Sequence, residues 1–240
     1  QWQSRPPAAT MRGMLKLATH TKSRNLLTGL LLATLFAFAA IATANAPSSA
    51  RDTVIDTSER LVQALQDQRD AIKQDMNTAY RLAEETVIPQ LDFPRITRWV
   101  LGRHWRGASE EQRARLTDEF RALLTRSYVT AMVSYVDQIL ENVDNVQFPP
   151  ARSREDGDNA TVAMLISLAS GQQATVQYQL YRNDSGWKVY DVQIEGISLA
   201  LTYRSTFSQE IARGGIDGLI ASLAERNRRN APEPLPEVKP

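Results

Sequence analysis

Three adjoining segments decide the fold: Thr175-Val-Gln-Tyr-Gln-Leu-Tyr-Arg182, Asn183-Asp-Ser-Gly186 and Trp187-Lys-Val-Tyr-Asp-Val-Gln-Ile194. In the first, Val176, Tyr178 and Leu180 alternate with polar residues, the period of a strand with one buried face. The second is a hairpin turn. In the third, strict alternation puts Trp187 and Val189 on one face and Tyr190, Val192 and Ile194 on the other. Both faces of the sheet then need cover, and helices stacked on one side supply only one. The second face must meet another protein layer or a ligand.

Working outward, Val143 to Phe148 is strand-like and ends at Pro149-Pro150, residues 152–159 form a polar turn, and Thr161 to Leu168 is a strand. A turn around Gly171 leads into the hairpin, giving a meander of four antiparallel strands. Gly196 breaks the last strand. Helices over 197–213 and 216–228 follow, divided by Gly214-Gly215, with stripes Leu199, Tyr203, Phe207 and Ile216, Leu219, Ile220, Leu223.

Upstream, apolar spacing predicts helices over 51–74 and 78–88, the latter closed by Pro89. Asp92 caps a helix carrying Phe93, Ile96, Trp99 and Val100, and Gly102 ends it. Ser109 with Gln112 is a capping box for the longest helix, 109–142. Its first half has one stripe, Leu116, Phe120, Leu123 and Leu124. Past Ser127, apolar residues from Tyr128 to Leu140 cover nearly the whole circumference. Such a helix is buried on more than one side: it either crosses the centre of the core or meets the sheet on one side and lines a cavity on the other. The class is α+β, a four-stranded antiparallel sheet packed with six or seven helices.

The chain has 240 residues and formal charge +1, with five basic and no acidic residues among the first 44. Taking those five from the chain's 28 leaves 23 basic against 27 acidic residues. Nothing remains of the positive field a nucleic-acid binder needs. Residues 1–44 read as an upstream extension followed by a signal peptide: Lys16, Lys22 and Arg24, an apolar run from Leu26 to Ile41, then small residues at 42–46. The expected organisation is a removable leader over 1–44, one domain over 45–229 and a disordered proline-rich tail over 230–240, the whole extracytoplasmic.

Catalytic chemistry has few candidates. Without cysteine there is no disulfide, thiolate or Cys-ligated metal. His104, the one histidine after the leader, stands between Arg103 and Trp105-Arg106, and cationic neighbours disfavour an imidazolium. Phosphate-loop and nucleophile-elbow motifs are missing. Asp191 is at most a buried acid in a pocket. No catalytic residue, metal or cofactor is expected; large apolar side chains in surplus describe a site for an apolar ligand.

The run Phe93 to Arg113, F-P-R-I-T-R-W-V-L-G-R-H-W-R-G-A-S-E-E-Q-R, resembles the signature of the MlaC/Ttg2D family of periplasmic phospholipid-binding proteins. The helix from Phe120 to Tyr135 and the ending Tyr190-Asp191-Val192, Glu195-Gly196-Ile197-Ser198-Leu199, Tyr203-Arg204-Ser205, Phe207 and Gly215–Leu219 extend the likeness over 51–228. His104 stands where the family more usually has tyrosine.

The resemblance implies a curved sheet of the NTF2-like type enclosing an apolar cavity, with a diacyl phospholipid as cargo. It implies a soluble carrier that exchanges lipid with an inner-membrane ABC transporter bearing an MCE-type subunit and with an outer-membrane lipoprotein–porin complex, maintaining outer-membrane lipid asymmetry; from its two-faced sheet and all-round apolar helix the protein is expected to be a monomer. By motif match Tyr128 and Ile197 are pocket positions. The apolar faces add Val100, Met132, Val136 and Met164, the strand residues Val176, Tyr178, Leu180, Tyr190 and Val192, and Leu201. Arg103, Arg106 and Arg204 are candidate contacts at the mouth, for a headgroup or a partner. The competing readings are a membrane-anchored interaction module and a pocket enzyme on the same type of fold.

Overall fold

The computed structural model describes residues 49–167 and 171–229; the expected leader and tail lie outside the described residues. Helix α1 (Ala50–Asp67) starts at Ser49, whose hydroxyl accepts from the Asp52 amide. The expected single helix over 51–74 breaks at Gln68, and α2 (Arg69–Gln74) follows. α3 (Met76–Thr86) is capped by Asp75. α4 (Phe93–Leu101) is capped by Asp92, which accepts from the Arg95 amide at 2.8 Å, with Pro94 in its first turn. It ends at Gly102, whose φ of 53° and ψ of −119° suit only a residue without a Cβ.

After the short α5 (His104–Gly107), α6 (Glu110–Ser134) opens with the complete Ser109–Gln112 capping box. The helix expected to run to 142 is interrupted at Tyr135, and α7 (Val136–Glu141) resumes it. α8 (Leu199–Arg229) is two helices divided at Gly215, which has φ 68° and ψ −172°.

Among the described residues the sheet has six strands rather than four: β1 (Val146–Gln147), β2 (Arg154–Asp156), β3 (Asn159–Ser167), β4 (Gln173–Asn183), β5 (Gly186–Ile194) and β6 (Ile197–Ser198). Its antiparallel order is β1-β3-β4-β5-β6, with β2 also on β3. The polar stretch expected to be only a turn holds β2, and the first half of the expected strand at 143–148 is a turn of 3-10 helix, leaving only Val146–Gln147 as β1. Side-chain alternation had no signal for either, because both segments are too short and too polar to show a period.

Leu180 is paired with Val189 but Gln179 with Asp191, so Tyr190 is left outside the ladder. Residues directly opposite one another share a face. Hence Trp187 and Val189 lie on the same face as Val192 and Ile194, together with Val176, Tyr178 and Leu180 of β4 and Ala160, Val162 and Met164 of β3. The bulge corrects strict alternation: one face is almost wholly apolar, and the other carries Gln177, Gln179, Lys188 and Gln193.

Among the described residues the interior is not one core but three. Residues of α4, the first half of α6 and α8 pack around Phe120, with Phe207 and Tyr203 edge-on at ring distances of 5.0 and 5.1 Å. The apolar sheet face packs Val162, Leu180 and Trp187 beneath Ala50 and Val54 of α1. A third cluster joins Leu65, Ile72, Ala79, Leu82, Val129 and Val136 from α1, α2, α3, α6 and α7.

Candidate functional site

Where the three cores meet they leave a cavity of about 420 Å³, a size typical of sites that enclose small molecules. Each core contributes to its wall: Val54 from the sheet cluster, Ala83 and Val129 from the α3–α6 cluster, Phe93, Ile96 and Ala200 from the α4–α6–α8 cluster. Leu61, Val87, Ile88, Leu91, Leu124 and Leu199 fill in between them. β5 supplies four consecutive residues, Val189 to Val192. A regular strand offers alternate residues to one side, but here the ladder is broken at Tyr190. The outer edge of β5 is paired at Val189, with Leu91, and at Gln193–Ile194, with β6, leaving 190–192 between them.

Several polar residues in this wall bond within the protein, while the buried Thr125 and Tyr128 hydroxyls have no hydrogen-bond partner among the described residues. Thr57 donates to the Thr53 carbonyl at 2.7 Å and Ser58 to the Val54 carbonyl at 2.8 Å, one turn back along α1. Their hydroxyls are thereby satisfied and carbon faces the cavity. Asp191, 4% exposed, accepts through Oδ1 from the Ser198 hydroxyl at 2.8 Å and the Ala200 amide at 3.3 Å. It anchors the start of α8 to β5. Tyr178, held at the wall with its hydroxyl 3.7 Å from the Met164 sulfur, has its pKa pushed up to about 12 by burial. Burial, then the neighbouring Tyr203 and Asp191, raise that of Tyr128 further.

Of the residues expected at a pocket, Tyr128, Met132, Tyr178, Tyr190 and Val192 stand on the wall. Val100 lies one turn beyond Ile96 and points into the α4–α6–α8 core. Val136 belongs to the cluster with α1, α2 and α3, and Leu180 is sealed under α1 between Ala160 and Val189. Val176 sits between Met164 and Ile194 in the sheet, Met164 backs Tyr178, and Ile197 pairs with Ile194 on β6. Leu201 is half-buried in the first turn of α8 while its neighbours Leu199 and Ala200 reach the wall.

The arginines fall elsewhere too. Arg204 binds the end of α4, donating to the Trp99 and Val100 carbonyls, and Arg103 and Arg106 are exposed around α5. His104, also on α5, is outside the cavity wall. Sequence reasoning missed the α1 contribution. Its signal was present in Thr53, Thr57 and Ser58, small hydroxyl residues one turn apart beside Val54 and Leu61.

Comparison with known proteins bears on what such a cavity holds. The family model described as MlaC protein matches residues 55–225. The chain belongs to the MlaC family. Among its MlaC relatives, the toluene tolerance protein ttg2D of Pseudomonas putida is 27% identical over 197 residues, spanning 78% of this chain and 88% of that one. The intermembrane phospholipid transport system binding protein MlaC of Haemophilus influenzae is 26% identical over 194 residues, 80% of this chain and 88% of its own length. A solved structure of the phospholipid-binding protein from Ralstonia solanacearum, in complex with a phospholipid, superposes with a TM-score of 0.64 at 30% identity, covering 76% of this chain and 99% of that one. The α+β architecture, with an open curved antiparallel sheet against several helices, is consistent with the NTF2-like type. MlaC membership makes the protein a lipid carrier rather than an enzyme, in keeping with Asp191 being engaged by Ser198 and the α8 backbone.

Proposed function

We propose that the cavity between the three cores takes the acyl tails of a phospholipid and leaves the headgroup in water, so that the protein ferries lipid between two membranes. The observation that carries this reading is the cavity itself: an apolar wall drawn from each described core cluster, with the Thr57 and Ser58 hydroxyls and the Asp191 carboxylate already bonded within the protein. Two acyl tails contain roughly 30 methylenes, and at about 0.8 kcal/mol each their exposure costs about 24 kcal/mol. A lipid therefore does not cross an aqueous gap unaided. The carrier supplies the enclosure, and no covalent step is required of it. Direction comes from the relative affinities of donor and acceptor.

The charge and apolar pattern of residues 1–44 supports a signal peptide and export into the periplasm, where the protein would act as a monomer. There the exchange partners would be an inner-membrane ABC transporter with an MCE-type subunit and an outer-membrane lipoprotein–porin complex. No helix among the described residues is long and apolar enough to cross a membrane. The wall residues Tyr128, Met132, Tyr178, Tyr190 and Val192 are the proposed tail contacts.

The test is organic extraction and lipid mass spectrometry of protein purified without detergent, beside native mass spectrometry. Near-stoichiometric diacyl phospholipid on a monomer is expected. A folded protein that carries none and takes none up from vesicles would overturn the reading.

A further inference from the structure

The segment Phe93–Arg106 carries four arginines, 95, 98, 103 and 106, and no acidic residue, in a chain whose residues 45–240 are net acidic. Its inner face is committed: Phe93 and Ile96 line the cavity. Its outer face is not. Arg98 is exposed and Trp99 is 42% exposed, although an indole is among the side chains most worth burying.

The tryptophan is held in place. The Arg204 guanidinium lies 5.5 Å from its ring centre and donates to the Trp99 carbonyl, while the Tyr190 ring meets it edge-on at 6.2 Å. Arg95 lies 3.8 Å over the Tyr181 ring and 4.9 Å from that of Tyr190. Asp92, the nearest carboxylate in sequence, is consumed by the Arg95 amide and the Tyr181 hydroxyl. Arg95, Arg98, Arg103, Arg106 and Arg204 form no ion pair with a carboxylate among the described residues. The result is a cationic face with a partly exposed indole among its arginines, on a helix that walls the cavity.

We propose that this outer face of α4 and α5 is a docking surface for an anionic lipid bilayer, with Trp99 at the headgroup level and Arg98 and Arg103 against lipid phosphates. The charge is complementary, and the pairing of an indole with unpaired arginines suits the bilayer interface, which is apolar on one side and anionic on the other. The proposal rests on the carrier reading and adds to it a place where the loaded protein meets its membrane. Arg204 and Arg95 are spent on carbonyls and rings, so they set the surface's shape, while Arg98 and Arg103 meet the partner.

The experiment is flotation of the lipid-loaded protein with phosphatidylcholine vesicles, with and without phosphatidylglycerol, at low and high salt. Wild-type protein is expected to float with the phosphatidylglycerol vesicles at low salt and to be released by high salt. Each arginine removed should weaken the partition about fivefold, so Arg98→Gln with Arg103→Gln lowers it by about 25-fold. Trp99→Ala should abolish the blue shift of tryptophan emission on vesicle addition. Lipid content and far-UV circular dichroism of each variant show that the protein is folded and loaded. Loaded wild-type protein that ignores both vesicle types would overturn the proposal and leave the face to an acidic protein partner, the carrier reading standing. Equal binding to both vesicle types, or binding unchanged in the double variant, would overturn it as well. Should Trp99→Ala not fold, the salt and phosphatidylglycerol dependence of the wild type still decides.

Discussion

Tyr128 lies on the cavity wall of α6, and its surroundings predict how it tolerates a charge. A glutamate in packed core, as at fully buried Phe120, costs more than about 4 kcal/mol and prevents folding. At a wall, water replaces the expelled lipid and solvates the carboxylate. Tyr128→Glu is therefore expected to keep most of its urea resistance and lose its phospholipid; a grossly unfolded variant would place Tyr128 in solid core. Tyr178 yields a second test through its proton. Its folded pKa of about 12 is above the ordinary tyrosine value of 10.0, so between those values the unfolded chain releases a proton that the folded one keeps. Stability is unaffected by this group below about pH 10 and falls from there to about pH 12 at up to about 1.4 kcal/mol per pH unit. Urea midpoints measured across that window should decline less steeply in Tyr178→Phe than in the wild type; identical slopes would show that the phenol is not buried as described.

Among the elements, α4 is the one whose ends are most closely specified, by Asp92 at the start and by Gly102 with Arg204 at the finish. A Cβ at residue 102 would approach the Arg204 guanidinium no nearer than 3.6 Å, an ordinary contact, so the cost of Gly102→Ala is in the backbone. About 1–3 kcal/mol of stability should be lost, read from the urea midpoint, with lipid content retained; an unaffected midpoint would mean that α4 can end in another conformation. These helix limits were legible in the sequence because caps and glycine stops act through residues within four positions of one another. The same holds for the Ser109–Gln112 box and the break at Gly215. What could not be read was set by contacts distant in sequence. The Tyr190 bulge depends on how β5 registers against β4, and Leu91 joins the edge of β5 from 98 residues away. The helix breaks at Gln68 and Tyr135 carry no glycine or proline to announce them. Tyr128 and Met132 stood out by the all-round apolar pattern of α6, whereas Val100, Val136 and Leu180 share that chemistry and face solid core. Composition tells that a side chain is buried, but not whether its neighbour is protein or empty space.

Across the whole molecule, three clusters that stop short of one another forgo the contacts a fused core would make. Two alanines from different clusters, Ala83 and Ala200, stand on the wall of the gap, 5% and 7% exposed. Enlarging either to leucine adds three carbons to a space lined with apolar groups, where each buried methylene is worth about 0.8 kcal/mol. Ala83→Leu with Ala200→Leu should raise the unfolding free energy of lipid-free protein, measured by urea denaturation, by about 2–4 kcal/mol while its phospholipid content collapses; a doubly substituted protein that still loads fully would show that the tails run elsewhere. The gap therefore sets the fold against its own thermodynamic interest. Random substitution followed by selection for heat resistance alone would fill it in, and the survivors would be sturdier proteins with nowhere left to put a passenger. Thermal robustness in this protein is a poor surrogate for fitness, and a library screened for one should be counter-screened for the other.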